Sequence, residues 1–459
     1  MDSKSETSET VGTAVASYDD ERALLARLAD GCIDQATESG ASAVEVALGQ
    51  GQGMSINVRN GEVETVEYNR DKSLSLTVYF GHHSGSASTT DFSEEAVSQV
   101  VSSACNIAKF TEEDPYNGLA DADLMATDIP DLDLHHPWEI EMDQAVDLAR
   151  RAEESALKAD SRISNTEGGG FSSHSGTDLY ANSHGFRGFS NGTRHGYSCS
   201  VLASDSNGMQ RDYWYDSSRN ASQLESPESV GKTAARRTVR RLGARKIETA
   251  SHPVIFETGV SASLISHMIS AISGSSLYRK ASFLLDQKGE ALFPDWVQIH
   301  ERPLQRGAPS SSAFDAEGVA TRDSDIVLEG TLARYILSSY SARKLGTRTT
   351  ANAGGVRNLA VESNVTGGLQ ELMSLMGRGV LVTELIGFGV NTVTGDYSRG
   401  AFGFWVENGE IQYPVHEFTI AGNLINMYAD FVGVADDFHP NRSSQVGSIL
   451  IDKMAIACS

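Results

Sequence analysis

Two histidine–glutamate pairs, His300-Glu301 and His416-Glu417, are the first residues to test for hydrolytic chemistry. Zinc peptidases use an H-E-x-x-H helix, whose i,i+4 spacing brings two imidazoles to one metal while the glutamate polarises its water. Neither pair has a second histidine within the next five residues, Pro303 breaks any helix after the first, and the second lies in a strand-like stretch. The adjacent pairs His82-His83 and His135-His136 diverge on a strand or helix and read as solvated loop histidines. Asp396, Ser398 and His416 hold the residue types of a hydrolase triad, but nothing in their spacing enforces one.

The stretch TGDYSRG is the densest in groups that could grip a peptide backbone. Thr394, Gly395, Asp396, Tyr397, Ser398 and Arg399 place an acid, a phenol, a hydroxyl and a guanidinium side by side between glycines. A satisfied polar turn among strands accounts equally well for the same pattern. GGVRN and GFGVN are rich in glycine, but no Lys-Ser/Thr closes them into a phosphate loop. One basic stretch, GKTAARRTVRRLGARK at 231–246, sets Arg236/Arg240 and Arg237/Arg241 four apart. It reads as a solvated helix face, or else as a dock for an acidic partner.

Around these groups the chain has the pattern of an α+β protein. Residues 20–38 carry Leu24, Leu25, Leu28 and Cys32 at helical spacing, and period-two stretches follow through SAVEVALG, MSINVRNGEVETVEY and SLSLTVYFG. Asn60-Gly61 marks a tight hairpin turn between two of them. Helical spacing returns at 92–109. The order helix, sheet, helix then repeats at 141–158, 162–215 and 227–242, with Gly243 as a left-handed cap. From PVIFETG at 253–259 onward a helix is followed by glycine-punctuated β segments, which imply a barrel-like or layered C-terminal sheet. The expected organisation is a tail at 1–18, an N-terminal α+β domain at 19–110 and an acidic surface linker at 111–138. A central α+β domain at 139–246 and a β-rich C-terminal domain at 247–459 complete it.

The chain has 459 residues, 37 Lys and Arg against 61 Asp and Glu, and a formal charge of −24. So acidic a surface repels phosphate backbones and anionic lipid, which argues against nucleic-acid and membrane partners. No apolar run reaches the length of a bilayer span, and the N-terminus lacks the basic and apolar parts of a secretory signal. Four scattered cysteines, Cys32, Cys105, Cys199 and Cys458, fit a reducing, cytoplasmic setting.

Longer motifs narrow the reading. TGDYSRGAFGFWVENGEIQYPVHEFTIAGNL, GSSLYRKASFLLDQKGEALFPDW (274–296), SYSARKLG (339–346) and the closing GSILIDKMAIA resemble the PmbA/TldE family. The resemblance is strongest over 250–457 and looser over 20–245. It implies a cytoplasmic protein that pairs with a TldD-type subunit as a heterodimeric zinc metallopeptidase acting on unfolded or short peptides. In such a pair the TldD-type chain carries the metal in an H-E-x-x-x-H helix plus a cysteine, and the TldE-type chain does not.

Here His267 stands where the second histidine would fall, while Ala262 and Ser263 stand where ligand and base would be. Cys458, one residue from the C-terminus, is not assigned the metal cysteine's role. The expectation is therefore no catalytic residue and no metal in this chain, zinc in the partner, and Thr394–Arg399 against the peptide. Two other readings stay open: a peptide-binding or regulatory protein without proteolysis, and an independent hydrolase built on Asp396, Ser398 or His416.

Overall fold

The computed structural model describes residues 18–206 and 208–458. Most of the expected N-terminal tail lies outside them, but Tyr18 already belongs to α1 (Tyr18–Glu38). β1 (Ala43–Arg59) and β2 (Glu62–Phe80) form a long hairpin. Its turn residues Asn60 and Gly61 have φ of 53° and 77°, the left-handed pair that Asn-Gly supplies cheaply. β3 (His83–Thr89) borders β2, and α2 (Glu94–Phe110) starts at Ser93, whose Oγ accepts from the Ala96 N–H. The second round comprises α3 (Met142–Leu157), β4 (Ile163–Asn182), β5 (Arg187–Asp205), β6 (Gly208–Ser218) and α4 (Pro227–Val239).

These two rounds are not separate layers. They share one antiparallel sheet in the order β3-β2-β1-β4-β5-β6, and β1 joins them by pairing with β4 from Glu45↔Asn182 to Val58↔Gly169. The sequence reading of a self-contained unit ending near residue 110 missed this because the paired strands are far apart along the chain. Val44, Val46 and Leu48 on β1 pack with α1 and α2, and Met54, Ile56 and Val58 pack with α3 and α4. The shared parity of these six positions puts all four helices on one face of the sheet.

Small residues set how close those helices sit. A Cβ at Gly85 of β3 would lie 2.2 Å from the Ala104 carbonyl oxygen on α2, and one at Gly169 of β4 would lie 2.1 Å from that of Ala149 on α3. Within the helix pair, a Cβ at Gly231 of α4 would lie 2.0 Å from the carbonyl oxygen of Ala152 on α3. All three contacts are with backbone, which cannot swing aside.

Residues 111–138, expected as a surface linker, act as a fastened strap. Leu119, Ala120, Ala126 and Leu132 are buried. Asp114 accepts from the Tyr340 hydroxyl at 2.7 Å and pairs with Lys344 at 3.1 Å, and Arg343 donates to the carbonyls of Tyr116, Gly118 and Leu119. The acidic composition suggested solvent; the few apolar positions decide the packing.

The C-terminal region begins with β7 (Ala250–Phe256), α5 (Thr258–Ala271) and α6 (Gly274–Tyr278). A small sheet follows from β8 (Ile299–Glu301), β9 (Ser324–Leu328), β10 (Thr331–Leu332) and, after α7 (Ser339–Lys344), β11 (Leu359–Val361). Then come α8 (Gly368–Met376), β12 (Arg378–Ile386), β13 (Asp396–Glu407), β14 (Glu410–Asn423) and α9 (Leu424–Ala429). β15 (Phe431–Val434), β16 (Ser444–Gln445) and β17 (Ile449–Cys458) end the chain.

Strands run β14-β13-β12-β7-β17, and β14 also pairs with β17, so the five close into a barrel with β15 outside. The α+β class and the barrel-like C-terminal part read from the sequence are both present. Asn408 and Gly409, with φ of 55° and 73°, turn the β13–β14 hairpin. Among the described residues no helix is long and apolar enough to cross a membrane.

The packing of α4 on α3 predicts an inverted propensity effect. Gly→Ala inside a helix ordinarily stabilises by up to about 1 kcal/mol. Gly231→Ala is expected to destabilise by about 1–3 kcal/mol, because its methyl group overpacks the Ala152 backbone. Urea unfolding should show a lower midpoint at an unchanged slope.

Candidate functional site

The helix that carries His267 is fixed at its start by charge. Glu257, the N-cap of α5, receives Arg237 at 3.2 Å and Arg240 at 3.3 Å, both from the α4 side of the molecule. Arg237 and Arg241 also reach Asp212 of β6, at 3.4 and 3.6 Å, and Arg241 reaches Glu384 of β12 at 2.6 Å. Each guanidinium also lies over a ring: Arg237 over Trp214, Arg240 over Phe404 and Arg241 over Phe402. The basic stripe at 231–246 is therefore neither a solvated face nor a free dock for three of its five arginines. Arg236 and Arg245 are exposed.

α5 is held at further points. The Thr258 hydroxyl donates to the Val446 carbonyl at 2.9 Å, and the buried Tyr428 hydroxyl donates to the Leu264 carbonyl at 2.9 Å. The helix turns His267 toward β13, where its ring stands edge-on to Tyr397 with centroids 6.0 Å apart. Burial and the nearby Arg399 charge push the His267 imidazolium down from the ordinary histidine range. Burial raises the Tyr397 phenol, with Arg399 acting in the opposite sense. His267 Nε2, Tyr397 Oη and Arg399 Nε are all buried and without a hydrogen-bond partner.

The TGDYSRG stretch divides by strand parity. Asn423 donates to the Thr394 carbonyl at 3.0 Å and to Asp396 Oδ1 at 3.3 Å, while the Thr394 hydroxyl donates to Asp396 Oδ2 at 2.6 Å. These bonds hold the Asp396 carboxyl below its usual range. Gly395 sits in the left-handed region at φ 80° and accepts from the Leu424 N–H at 2.8 Å. Thr394, Gly395 and Asp396 thus close a turn. Ser398 is exposed on the opposite face from Tyr397, and only Tyr397 and Arg399 share the face turned to α5.

Asp396, Ser398 and His416 do not meet as a triad. Ser398 pairs with Ala421 across β13–β14, which leaves His416 five residues away along β14, roughly 15 Å at strand rise. The string Gly188-Phe189-Ser190-Asn191-Gly192 lies inside β5 and not at a strand-to-helix turn, so Ser190 is no nucleophile elbow.

His300 lies on β8 between Asp325 and Glu362, each at 2.8 Å, and Glu301 binds Arg334, Asn352 and the Arg357 N–H. That pair is a buried structural knot, whereas His416 and Glu417 are exposed on β14. His82 and His83 bond the carbonyls of Asn117 and Thr111, and His136 that of Asp133.

A catalytic zinc ion takes three protein ligands, and the residues around His267 do not supply them. Ala262 has no donor, and the Ser263 hydroxyl donates back to the Val260 carbonyl at 2.6 Å. Among the described residues no group of three or more His, Cys, Asp or Glu stands close enough to hold a metal ion. The conjunction of His267 with Tyr397 and Arg399 was invisible in the sequence, where α5 and β13 are far apart.

Comparisons with known proteins add a family. Residues 249–458, 135–242 and 44–108 match the C-terminal, central and first domains of the PmbA/TldA metallopeptidase models. The chain is 49% identical over 425 residues to a protein of Haemophilus influenzae named metalloprotease PmbA homolog, covering 93% of this chain and 94% of that one. It is 48% identical over 413 residues to metalloprotease PmbA of Escherichia coli O157:H7, covering 90% and 92%. A crystal structure from Bacteroides thetaiotaomicron superposes with a TM-score of 0.90 at 27% identity, over 96% of this chain and all of the other. TldE from Thermococcus kodakarensis shares the fold at a TM-score of 0.82 and 19% identity, over 95% of this chain and all of the other.

The clamp on α5 yields a stability test. Glu257→Gln leaves Arg237 and Arg240 short of their counter-charge and is expected to destabilise the fold by about 3 kcal/mol, as breaking a buried pair does. Urea unfolding measures it. A loss of less than about 1 kcal/mol, the size of an exposed pair, would show that solvent reaches the cluster.

Proposed function

Because the chain belongs to the PmbA/TldE family, we propose that it is the zinc-free, TldE-type subunit of a heteromeric metallopeptidase. One observation carries this reading. The helix that would present a metal site offers a lone histidine, with Ala262 and the self-bonded Ser263 in place of ligand and base. The close relatives are named metalloproteases, so the missing chemistry is assigned to a TldD-type partner that would bring the zinc.

In that division this chain contributes walls and grip. A barrel set against a broad sheet can shield a reaction chamber from bulk water. An extended peptide held through its backbone, by strand addition, is bound with little regard for its sequence. Such a grip suits short or unfolded peptides, because a folded domain keeps its backbone bonds to itself. Tyr397 and Arg399, out of the stretch Thr394–Arg399, are the side chains proposed to face the peptide. The four cysteines are all free, in keeping with the proposed cytoplasmic setting.

The test is metal content and turnover, measured on the chain alone and on the complex co-expressed with a TldD-type chain. Expected are zinc in the complex, none retained by the isolated chain, and cleavage of an unstructured peptide that chelator abolishes. Stoichiometric zinc in the isolated chain, with cleavage, would overturn the proposal. Peptide binding without turnover in any combination would establish a non-proteolytic binding protein instead.

A further inference from the structure

We propose that His267, Tyr397 and Arg399 form a recess that binds a carboxylate, of the kind a peptide carries at its C-terminus or on an acidic side chain. The inference rests on the reading that Tyr397 and Arg399 face the peptide and names the chemistry they recognise, but it does not depend on the division of zinc between subunits.

Its basis is a set of unmet polar groups in one place. Tyr397 is 1% exposed, yet its hydroxyl, which lies beside Arg399, makes no hydrogen bond of normal geometry, and neither do His267 Nε2 and Arg399 Nε. Buried donors are nearly always bonded, and an isolated pair could be an accident of packing. Here three donor-bearing side chains converge from two separate elements, α5 and β13, and the two rings stand at 6.0 Å. Tyr397 forms the floor, and the partly exposed His267 and Arg399 form the open side.

Charge selects the ligand. The chain carries −24 overall. Of its other half-buried arginines, Arg237, Arg240 and Arg241 pair with Asp212, Glu257 and Glu384, and Arg334 with Glu301, while Arg219 and Arg357 donate to backbone carbonyls. No ion pair forms at Arg399 among the described residues, although carboxylates are the commonest charged group in the chain. Arg399 is partly exposed, but its Nε is shut away from solvent with no hydrogen-bond partner, and a buried donor left unbonded is costly. A planar anion with two acceptor oxygens removes that cost by taking a charge-assisted bond from Arg399 and a second from the Tyr397 hydroxyl. Burial and Arg399 both oppose a second positive charge on the His267 imidazole, whose Nε2 has no partner within the fold. A cation or a neutral apolar ligand would leave the guanidinium uncompensated.

Calorimetric titration of the full chain tests this with three probes: N-acetyl-tetra-alanine as the free acid, the same peptide as its C-terminal amide, and an amidated analogue with one glutamate. The free acid is expected to bind about tenfold or more tightly than the amide, the worth of one charge-assisted bond. Binding of the glutamyl amide would assign the site to acidic side chains as well; its failure would restrict the site to chain ends. Arg399→Met is expected to abolish the difference between acid and amide, and Arg399→Lys to restore part of it.

Tyr397→Phe separates ligand binding from folding. It should weaken the acid severalfold without lowering Tm, because in the free protein the hydroxyl lies beside the Arg399 guanidinium but makes no hydrogen bond of normal geometry. Equal binding of acid and amide, no binding by any probe, or an unchanged affinity in Arg399→Met would each overturn the proposal. So would a lower Tm in Tyr397→Phe, which would reveal a partner for the hydroxyl within the fold. None of these outcomes depends on zinc or on a partner subunit, so failure here leaves the subunit reading standing, and the converse holds.

Discussion

Glu257 ties the two halves of the molecule together. It directly follows β7, caps the start of α5, and is gripped by two arginines of the opposite layer. The same carboxylate therefore fixes where the barrel meets the four-helix sheet and where the α5 axis starts. Its place at a helix N-terminus adds the favourable end of the helix dipole. Asp212 and Glu384 extend the cluster to β6 and β12, and the rings of Trp214, Phe402 and Phe404 wall it. Everything that depends on the angle of α5, including which way His267 faces, inherits its position from this charge cluster.

The second constraint is the parity of β13. Because the Thr394–Asp396 turn is locked by Asn391 and Asn423, the strand enters the barrel in one register. Alternation then sends Tyr397 and Arg399 to the α5 face and Ser398 to the other. Slipping the strand by one residue would bury Ser398 and expel both of the groups that meet His267. The polar residues that looked chemically active in the sequence thus split into those that hold the register and those that the register presents.

How far the sequence could be read follows from the range of each interaction. Asn60-Gly61 is a local signal, and its turn adopts the expected left-handed pair; Asn408-Gly409 adopts the same pair. The helices and the glycine-punctuated barrel strands are legible for the same reason, and the long motifs of the C-terminal region carry the family. Pairings across the chain were not legible: β1 with β4, which fuses two expected units, and the Arg237, Arg240 and Arg241 stripe, whose acids come from β6, β12 and the start of α5. A four-residue spacing says that arginines share a helix face, but not whether carboxylates wait opposite. The strap at 111–138 misled for a different reason. Its charge dominates its composition, while four buried apolar side chains and the polar ties of Asp114 and Arg343 hold it down.

The lone histidine on α5 has a physical consequence for the fold. Where a structural metal organises a domain, metal removal unfolds it, because the ligands have nothing else to hold them. α5 is placed instead by Glu257 at its start, by the Thr258 bond to Val446, by the Tyr428 bond to Leu264, and by the buried Leu264, Ile265 and Met268. Its geometry is thus complete without any ion. Burial in itself gives no reason to leave polar atoms unbonded where this helix meets β13, since apolar side chains would fill the space at lower cost. The unmet groups of His267, Tyr397 and Arg399 are where stability is given up. A helix so firmly placed can carry that cost, and it holds His267 against Tyr397 of β13.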